Sequence, residues 1–246
     1  MSIDQYALVG LALVLGSGLQ SAIGFGGGLV AIPIMLLAGV PAPQAIVMSY
    51  MGSLVQAGWG WYRHRDAVPW RATLPMFFLR LATLPLGIWL LVIFVRTDPG
   101  RIKQLVGVIL LVVLAIQWIK VTPRAHVHWC WTLLAGATSG VGAGMIGVGG
   151  PQMVLWLMAH DWPNNRVRTF LWISFVQIVP FHVVMMGYQF GRPIAGAVVI
   201  GLMFAPLVVL ASIVGLYVGH AMSRKVLRIC MYLILVIIAI VCITKS

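Results

Sequence analysis

The sequence predicts an all-α fold: a polytopic integral membrane protein with two inverted repeats, each consisting of a glycine-broken re-entrant helical hairpin and three transmembrane helices. Three observations lead to this prediction. The 246 residues are 61% hydrophobic and only 8% charged, whereas about a quarter of the residues in a soluble domain are charged. The apolar runs approach the ~20 residues that a helix needs to cross a bilayer. Two of these runs are interrupted by glycine clusters, and the same pattern occurs in both halves.

The two glycine clusters lie inside apolar sequence, so they are not surface turns. The first break covers residues 24–28 (GFGGG) and the second covers 147–151 (GVGGP). A glycine in a helix interior costs about 1 kcal/mol relative to alanine, so consecutive glycines predict an interruption. A membrane tolerates an interruption only where protein buries it or where it lines an aqueous cavity. We therefore expect a ligand at the two breaks, with short helices starting near Leu29 and Gln152.

Three continuous helices are predicted after each broken run. They cover about 44–62, 72–95 and 104–121 in the first half, and about 167–187, 194–219 and 226–243 in the second half. Charged or proline-containing loops separate these helices, and residues 123–128 connect the halves.

The two halves match by residue as well as by order. The segment 23–27 matches 146–150 at an offset of 123 residues, and Ser53 and Gln56 match Ser174 and Gln177 at an offset of 121. Two matches in the same order at nearly constant offset predict an internal duplication. The repeats are residues 1–122 and 123–246, within one integrated transmembrane domain.

Loop charges predict that each broken run is a hairpin that returns to the side it entered from. If each run crossed the membrane once, the loop Lys and Arg would divide as 7 against 8. If each run is a hairpin, one side holds 10: Arg63, Arg65, Arg71, Lys120, Arg124, Arg166, Arg168, Arg224, Lys225 and Arg228. The other side holds 5: Arg96, Arg101, Lys103, Arg192 and Lys245. Cytoplasmic loops are the richer in Lys and Arg, so the hairpin is favoured and the halves are inverted.

Composition limits the chemistry. The chain has four Asp and no Glu, all predicted at helix ends or in loops, so no intramembrane carboxylate is available for a proton relay. The net charge of +12 comes from residues scattered through short loops. These are typical orientation signals, so the lipid bilayer is expected as a partner and nucleic acid is not. The three cysteines lack CxxC spacing. Neither a metal site nor a cofactor is predicted, and a homo-oligomer is compatible with the sequence.

The breaks have the features of an anion site. A helix that starts just after the glycines directs its first N–H groups and its positive dipole end toward the break. Glycine lets an anion approach the backbone, and proline suits the first helical turn. The alternative is that the glycines only permit close helix packing. The residues expected to hold the anion are Gly24, Gly26, Gly27, Gly28, Gly147, Gly149, Gly150, Pro151 and Gln152.

Polar side chains in the neighbouring helices are further candidates. Ser53 and Gln56, like Ser174 and Gln177, lie three residues apart and therefore on one helical face. Their donors suit an oxyanion, or they form interhelical hydrogen bonds. Flanking polar residues are weaker candidates: Gln20, Ser21, Thr138 and Ser139.

Two ionisable residues fall within predicted helices. Arg80 is the only Lys or Arg well inside one, and a guanidinium binds an oxyanion with paired hydrogen bonds. The alternative is that Arg80 extends to the membrane interface. His182 lies deep in the helix that carries Ser174 and is a candidate for proton coupling; the alternative is a core histidine with satisfied hydrogen bonds.

At these residues the chain resembles the TauE/SafE family of sulfite and organosulfonate exporters. The resemblance lies in the Ser-Gly pair before each break, the first break with Pro33 downstream, the helical segment 49–56, and the repetition of this block. The second copy differs, because Pro151 replaces the third glycine and Trp156 stands where Pro33 would fall. The resemblance implies a carrier in the bacterial inner membrane for sulfite, sulfoacetate or other sulfonates.

Together these observations predict a transporter, and not an enzyme, that exports small sulfur-containing anions by alternating access. A passive anion channel is one alternative. An intramembrane serine protease that uses Ser139 and His182 is another, because a serine near a histidine base is the minimal nucleophilic arrangement.

Overall fold

The computed structural model describes residues 2–24, 26–63, 68–97, 99–116, 127–222 and 224–244. These residues form eleven α-helices and no strand, which confirms the predicted all-helical fold. The helices are α1 (Ile3–Ile23), α2 (Gly27–Leu37), α3 (Ala42–Arg63), α4 (Trp70–Thr97), α5 (Pro99–Ile116), α6 (Trp129–Ile146), α7 (Gly150–Met158), α8 (Asn164–Phe190), α9 (Arg192–Met203), α10 (Ala205–Ala221) and α11 (Arg224–Thr244).

Three of the described helices, α1, α4 and α8, are long and apolar enough to cross a membrane. Helices α9 and α10 together provide a fourth such span, bent by 50°. The predicted continuous helix 194–219 is therefore wrong in detail. Pro206, the second residue of α10, explains the bend: proline lacks an N–H and its ring clashes with the carbonyl four residues earlier.

Both broken runs fold back on themselves. In the first, Gln5 Nε2 donates to the Ala38 carbonyl at 3.3 Å, so the end of α2 lies beside the start of α1. In the second, Trp156 Nε1 of α7 donates to Thr132 Oγ1 of α6 at 3.0 Å. Each run is thus an antiparallel hairpin, as the loop charges predicted. Four of those charges lie outside the described residues: Arg65, Lys120, Arg124 and Lys245.

The second helix of each hairpin starts two residues earlier than predicted, at Gly27 and Gly150 instead of Leu29 and Gln152. No side chain fits at Gly27: a Cβ there would collide with the Gln20 side chain and lie 3.0 Å from the Gly16 carbonyl oxygen. The glycines therefore allow α2 to pack closely on α1 as well as ending the preceding helix.

Small residues also bring α6 against α4. A Cβ at Gly136 would lie 2.8 Å from Leu79 Cβ, and one at Gly144 would lie 2.9 Å from Gly87 Cα. Residue numbers rise together along both helices, so α4 and α6 run parallel. Glycines at four-residue spacing permit this close approach of helices in membranes.

The first hairpin packs against a helix of the second half in the same way. Along α1 and α10, Gly18 packs against Gly215, and Ala22 packs against Gly219. These helices also run parallel. Helices α3 and α8 pack against each other, and the two hairpins meet beside this pair.

Candidate functional site

The two breaks line a single cavity. The part of this cavity that the centres of water molecules can occupy has a volume of about 20 Å³. This is room for about one water molecule. Its lining residues are Gln20, Gly26, Gly27, Gly28, Leu29, Ser49, Tyr50, Ser53, Gly147, Val148, Gly150, Pro151 and Phe175. Eight of the residues named from sequence, including the weaker candidate Gln20, are therefore brought together here.

The backbone at both breaks follows the same plan. Helix α1 ends at Gly24 (φ 101°) and α6 ends at Gly147 (φ 70°), both in the left-handed region that favours glycine. The N–H of Gly24 donates to the Gln20 carbonyl at 2.7 Å, and the N–H of Gly147 donates to the Ala143 carbonyl at 3.0 Å. Helices α2 and α7 begin three positions later, at Gly27 and Gly150. The chain thus turns abruptly and places two helix N-termini at one cavity.

Two helix N-termini contribute partial positive charge to the cavity. The first turn of a helix leaves N–H groups without intrahelical partners, and the dipole adds partial positive charge there. Gly27 and Gly28 of α2, and Gly150 of α7, line the cavity. Helix α7 carries Pro151 at its second position, where the missing N–H removes no helical hydrogen bond.

The two breaks also touch directly. A Cβ at Gly28 would lie 3.3 Å from the Gly147 carbonyl oxygen and 3.7 Å from Ser49 Oγ. One at Gly147 would lie 2.5 Å from Ile32 Cδ1. Larger residues at these positions would push the breaks apart.

Helix α3 supplies the hydroxyl groups of the cavity. Ser53 was predicted, but Ser49 and Tyr50 were not singled out as site residues. Both lie three or four residues before Ser53, on the same helical face, and this spacing is the signal that could have found them. Phe175 follows Ser174 on α8 and has no comparable signal, because its sequence neighbourhood is that of any apolar helix.

The remaining predicted residues do not line the cavity. Gly24 ends α1, and Gly149 lies against α6, where its carbonyl accepts a hydrogen bond from Ser139 Oγ at 2.6 Å. Gln56 Nε2 donates to Ser21 Oγ at 2.5 Å. Gln56 therefore forms an interhelical hydrogen bond, which was the alternative to anion binding. Three amide oxygens are buried and have no partner among the described residues: those of Gln56, Gln152 and Gln177.

Arg80 lies in the interior of the molecule and does not extend to the membrane interface. Its side chain is 3% exposed, and Nη1 donates to the Ser174 carbonyl at 3.0 Å. Its Nε has no partner within the described chain. The two aspartates that the structure describes, Asp4 and Asp161, are exposed at the start of α1 and between α7 and α8. The described residues therefore provide no carboxylate for this buried charge.

His182 packs against a residue of the cavity. Its ring lies edge-on to Tyr50, with centroids 4.7 Å apart. The side chain is fully buried, and neither ring nitrogen has a partner in the described part of the molecule. The satisfied core histidine expected as the alternative is therefore not what the structure contains.

The geometry does not favour serine protease chemistry. Ser139 Oγ donates to the Gly149 carbonyl, while the His182 ring contacts Tyr50. The hydroxyl thus stabilises the second hairpin. Within the described ranges, no group of three His, Cys, Asp or Glu side chains is placed to hold a metal ion.

An all-helical molecule with apolar spans and a buried cavity between two helix breaks belongs to the class of membrane transporters. The family model described as "Sulfite exporter TauE/SafE" matches residues 8–242, nearly the whole chain. The chain belongs to the TauE/SafE sulfite exporter family. It is a membrane transport protein for sulfur-containing anions, and not an enzyme. No curated protein and no solved structure matches it.

Proposed function

We propose that the chain exports sulfite or a small sulfonate, and that it binds the anion in the cavity between the two breaks. One observation carries this proposal: the N-termini of α2 and α7 reach the same buried cavity from opposite halves of the chain. Paired helix N-termini bind an anion without a charged side chain in direct contact. Ser49, Ser53 and Gln20 add hydrogen-bonding groups suited to the oxygens of a sulfonate.

Arg80 adds a long-range attraction to this site. Its carbonyl partner Ser174 directly precedes Phe175, which lines the cavity. A buried charge without a counterion is costly in a membrane, and an anion in the cavity compensates part of this cost. We include Arg80 in the binding machinery for this reason, together with Gln152, Gln177 and Ser174 around the cavity.

We propose that residues 1–122 and 123–246 are inverted repeats. Helices α4 and α6 run parallel, as do α1 and α10. Along α1 and α3, Leu13 lies beside Gly52, and Ser21 bonds Gln56, so these helices are parallel as well. Helix α4 follows α3 in the chain and returns in the opposite direction, so α6, which is parallel to α4, runs opposite to α1. In this arrangement the two hairpins open toward opposite sides. Inverted repeats with broken helices at their interface support alternating access in many transporters.

The small cavity supports alternating access over a passive channel. About 20 Å³ of space for water centres is too little for a sulfonate, so the helices must separate to admit one. A channel conducts through a continuous pore, whereas a carrier closes around its substrate. The inside-negative membrane potential favours efflux of an uncoupled anion by about 2.3 kcal/mol per charge per 100 mV.

A ligand panel tests this proposal. The purified protein is heated with sulfite, methanesulfonate, sulfoacetate, sulfate, phosphate and acetate, because a ligand that binds only the folded state raises its melting temperature. We expect dose-dependent shifts with sulfite and sulfonates and none with acetate. In proteoliposomes, transport should saturate and show counterflow. Absence of any shift would contradict anion binding, and linear uptake without counterflow would contradict a carrier.

A further inference from the structure

The strongest unexplained feature of the molecule is the fully buried His182. A buried imidazole without hydrogen bonds loses the hydration of both nitrogens and gains nothing in return. Here neither nitrogen has a partner among the described residues. Such a residue persists where another state of the protein uses it.

The surroundings of His182 contain one permanent charge. Tyr50 on α3 contacts its ring edge-on, and Arg80 on α4 is buried nearby, on the helix that packs against α8. The two other helices that pack on α8 contribute little: α7 has no titratable residue, and Arg192, at the start of α9, is exposed. With the cavity free of anion, a proton on His182 would add a second uncompensated positive charge beside Arg80.

An anion in the cavity reverses this balance. Tyr50 both lines the cavity and contacts the His182 ring, so the imidazole lies one side chain away from the anion. Negative charge at that distance attracts a proton to the imidazole, since the interior screens charges far less than water does.

We infer that His182 is a proton-binding site linked to the anion site, so that an anion and a proton are bound together. This inference rests on the proposed function, because it requires the anion in the cavity. Linkage is reciprocal: if the anion favours the proton, the proton strengthens anion binding by the same factor. A proton bound with each monovalent anion makes the transported pair neutral. The membrane potential, which favours efflux of an uncoupled anion, then no longer contributes, and the concentration gradients of the anion and the proton set the direction of transport.

The test uses methanesulfonate, whose own charge is constant between pH 5.5 and pH 8.5. The dissociation constant is measured by calorimetry at both pH values on the full-length protein in detergent. We expect binding about tenfold tighter at pH 5.5 than at pH 8.5, a typical size for coupled sites. Measurements in two buffers of different ionisation enthalpy should show proton uptake with the anion in the unmodified protein.

Two variants identify the titrating group. His182→Gln should bind methanesulfonate with the same affinity at both pH values and without proton uptake. His160→Gln removes the histidine that lies between α7 and α8, where its Nδ1 pairs with the Trp156 carbonyl, and should retain the pH dependence. Binding to the unmodified protein that is independent of pH, without proton uptake, would overturn the linkage while leaving the anion site intact. Absence of binding at every pH would overturn the anion site itself, and the linkage with it.

Discussion

At the scale of single residues, glycine has three separate roles in this molecule. Gly24 and Gly147 adopt positive φ and end the first helix of each hairpin. Gly144 allows α6 to touch α4, because a Cβ there would lie 2.8 Å from the Ile88 N atom. Gly150 lines the cavity, and a Cβ there would meet no atom within 4 Å. Substitutions at these positions should therefore have different consequences.

Arg80→Gln should weaken anion binding while making the anion-free protein more stable to heat. An attraction between unit charges that do not touch, at an effective dielectric constant of about 20, is on the order of 1–2 kcal/mol, which corresponds to roughly a 5- to 30-fold loss of affinity. The gain in stability follows because the substitution removes a buried charge that no described carboxylate compensates. Melting curves with and without sulfite measure both effects.

Arg71→Gln is the matched control, since Arg71 lies near the start of the same helix and is exposed. It should leave affinity and melting temperature unchanged. If Arg80→Gln lowered the melting temperature and left the sulfite affinity intact, Arg80 would be a structural residue held by the Ser174 carbonyl.

Sequence reasoning identified the glycines and Ser53 because their residue types are unusual in apolar helices. It missed Tyr50 and Phe175 as site residues, since aromatic residues in such helices are indistinguishable from core residues until the packing is known. It left open where the Arg80 side chain points. The buried Arg80 side chain donates a hydrogen bond to the carbonyl of Ser174, which lies 94 residues later in the sequence, and the sequence alone does not reveal this contact.

At the scale of helices, the packing of α6 on α4 gives a sharp prediction. Gly144→Ala should lower the free energy of unfolding by about 1–3 kcal/mol, because overpacking forces the helices apart. Gly187→Ala in α8 is the control, since a Cβ there meets no atom within 4 Å and alanine favours the helix by up to about 1 kcal/mol. Chemical denaturation in detergent measures both. Equal stability of the two variants would contradict this packing.

The order and type of the helices were predictable, but some of their ends were not. Apolar runs of nearly bilayer length predicted five of the six continuous helices correctly, and the sixth, 194–219, is broken into α9 and α10. Helix α5 begins at Pro99, five residues before the predicted start, because charged residues at Arg101 and Lys103 suggested a loop. The bend between α9 and α10 was also missed, although Pro206 is visible in the sequence and is a known cause of bending.

At the scale of the whole molecule, the two hairpins should open toward opposite sides of the membrane. Single cysteines are introduced at positions 71, 165, 3 and 193, all exposed near helix starts, after replacement of Cys130, Cys230 and Cys242. Positions 71 and 165 should react with an impermeant thiol reagent from the cytoplasmic side, which carries more Lys and Arg. Positions 3 and 193 should react from the other side. Labelling of positions 71 and 165 from opposite sides would contradict the inverted arrangement.

The central claim, that the anion occupies the cavity between the breaks, is tested most directly at Gly150. The measurement is the dissociation constant for sulfite in Gly150→Val, with Gly187→Val as the control away from the cavity. Both glycines have room for a Cβ, and melting curves establish that each variant is folded before the affinities are compared. We expect Gly150→Val to show no sulfite binding, because its side chain occupies the cavity, and Gly187→Val to bind normally. A folded Gly150→Val protein with unchanged sulfite affinity would contradict the account.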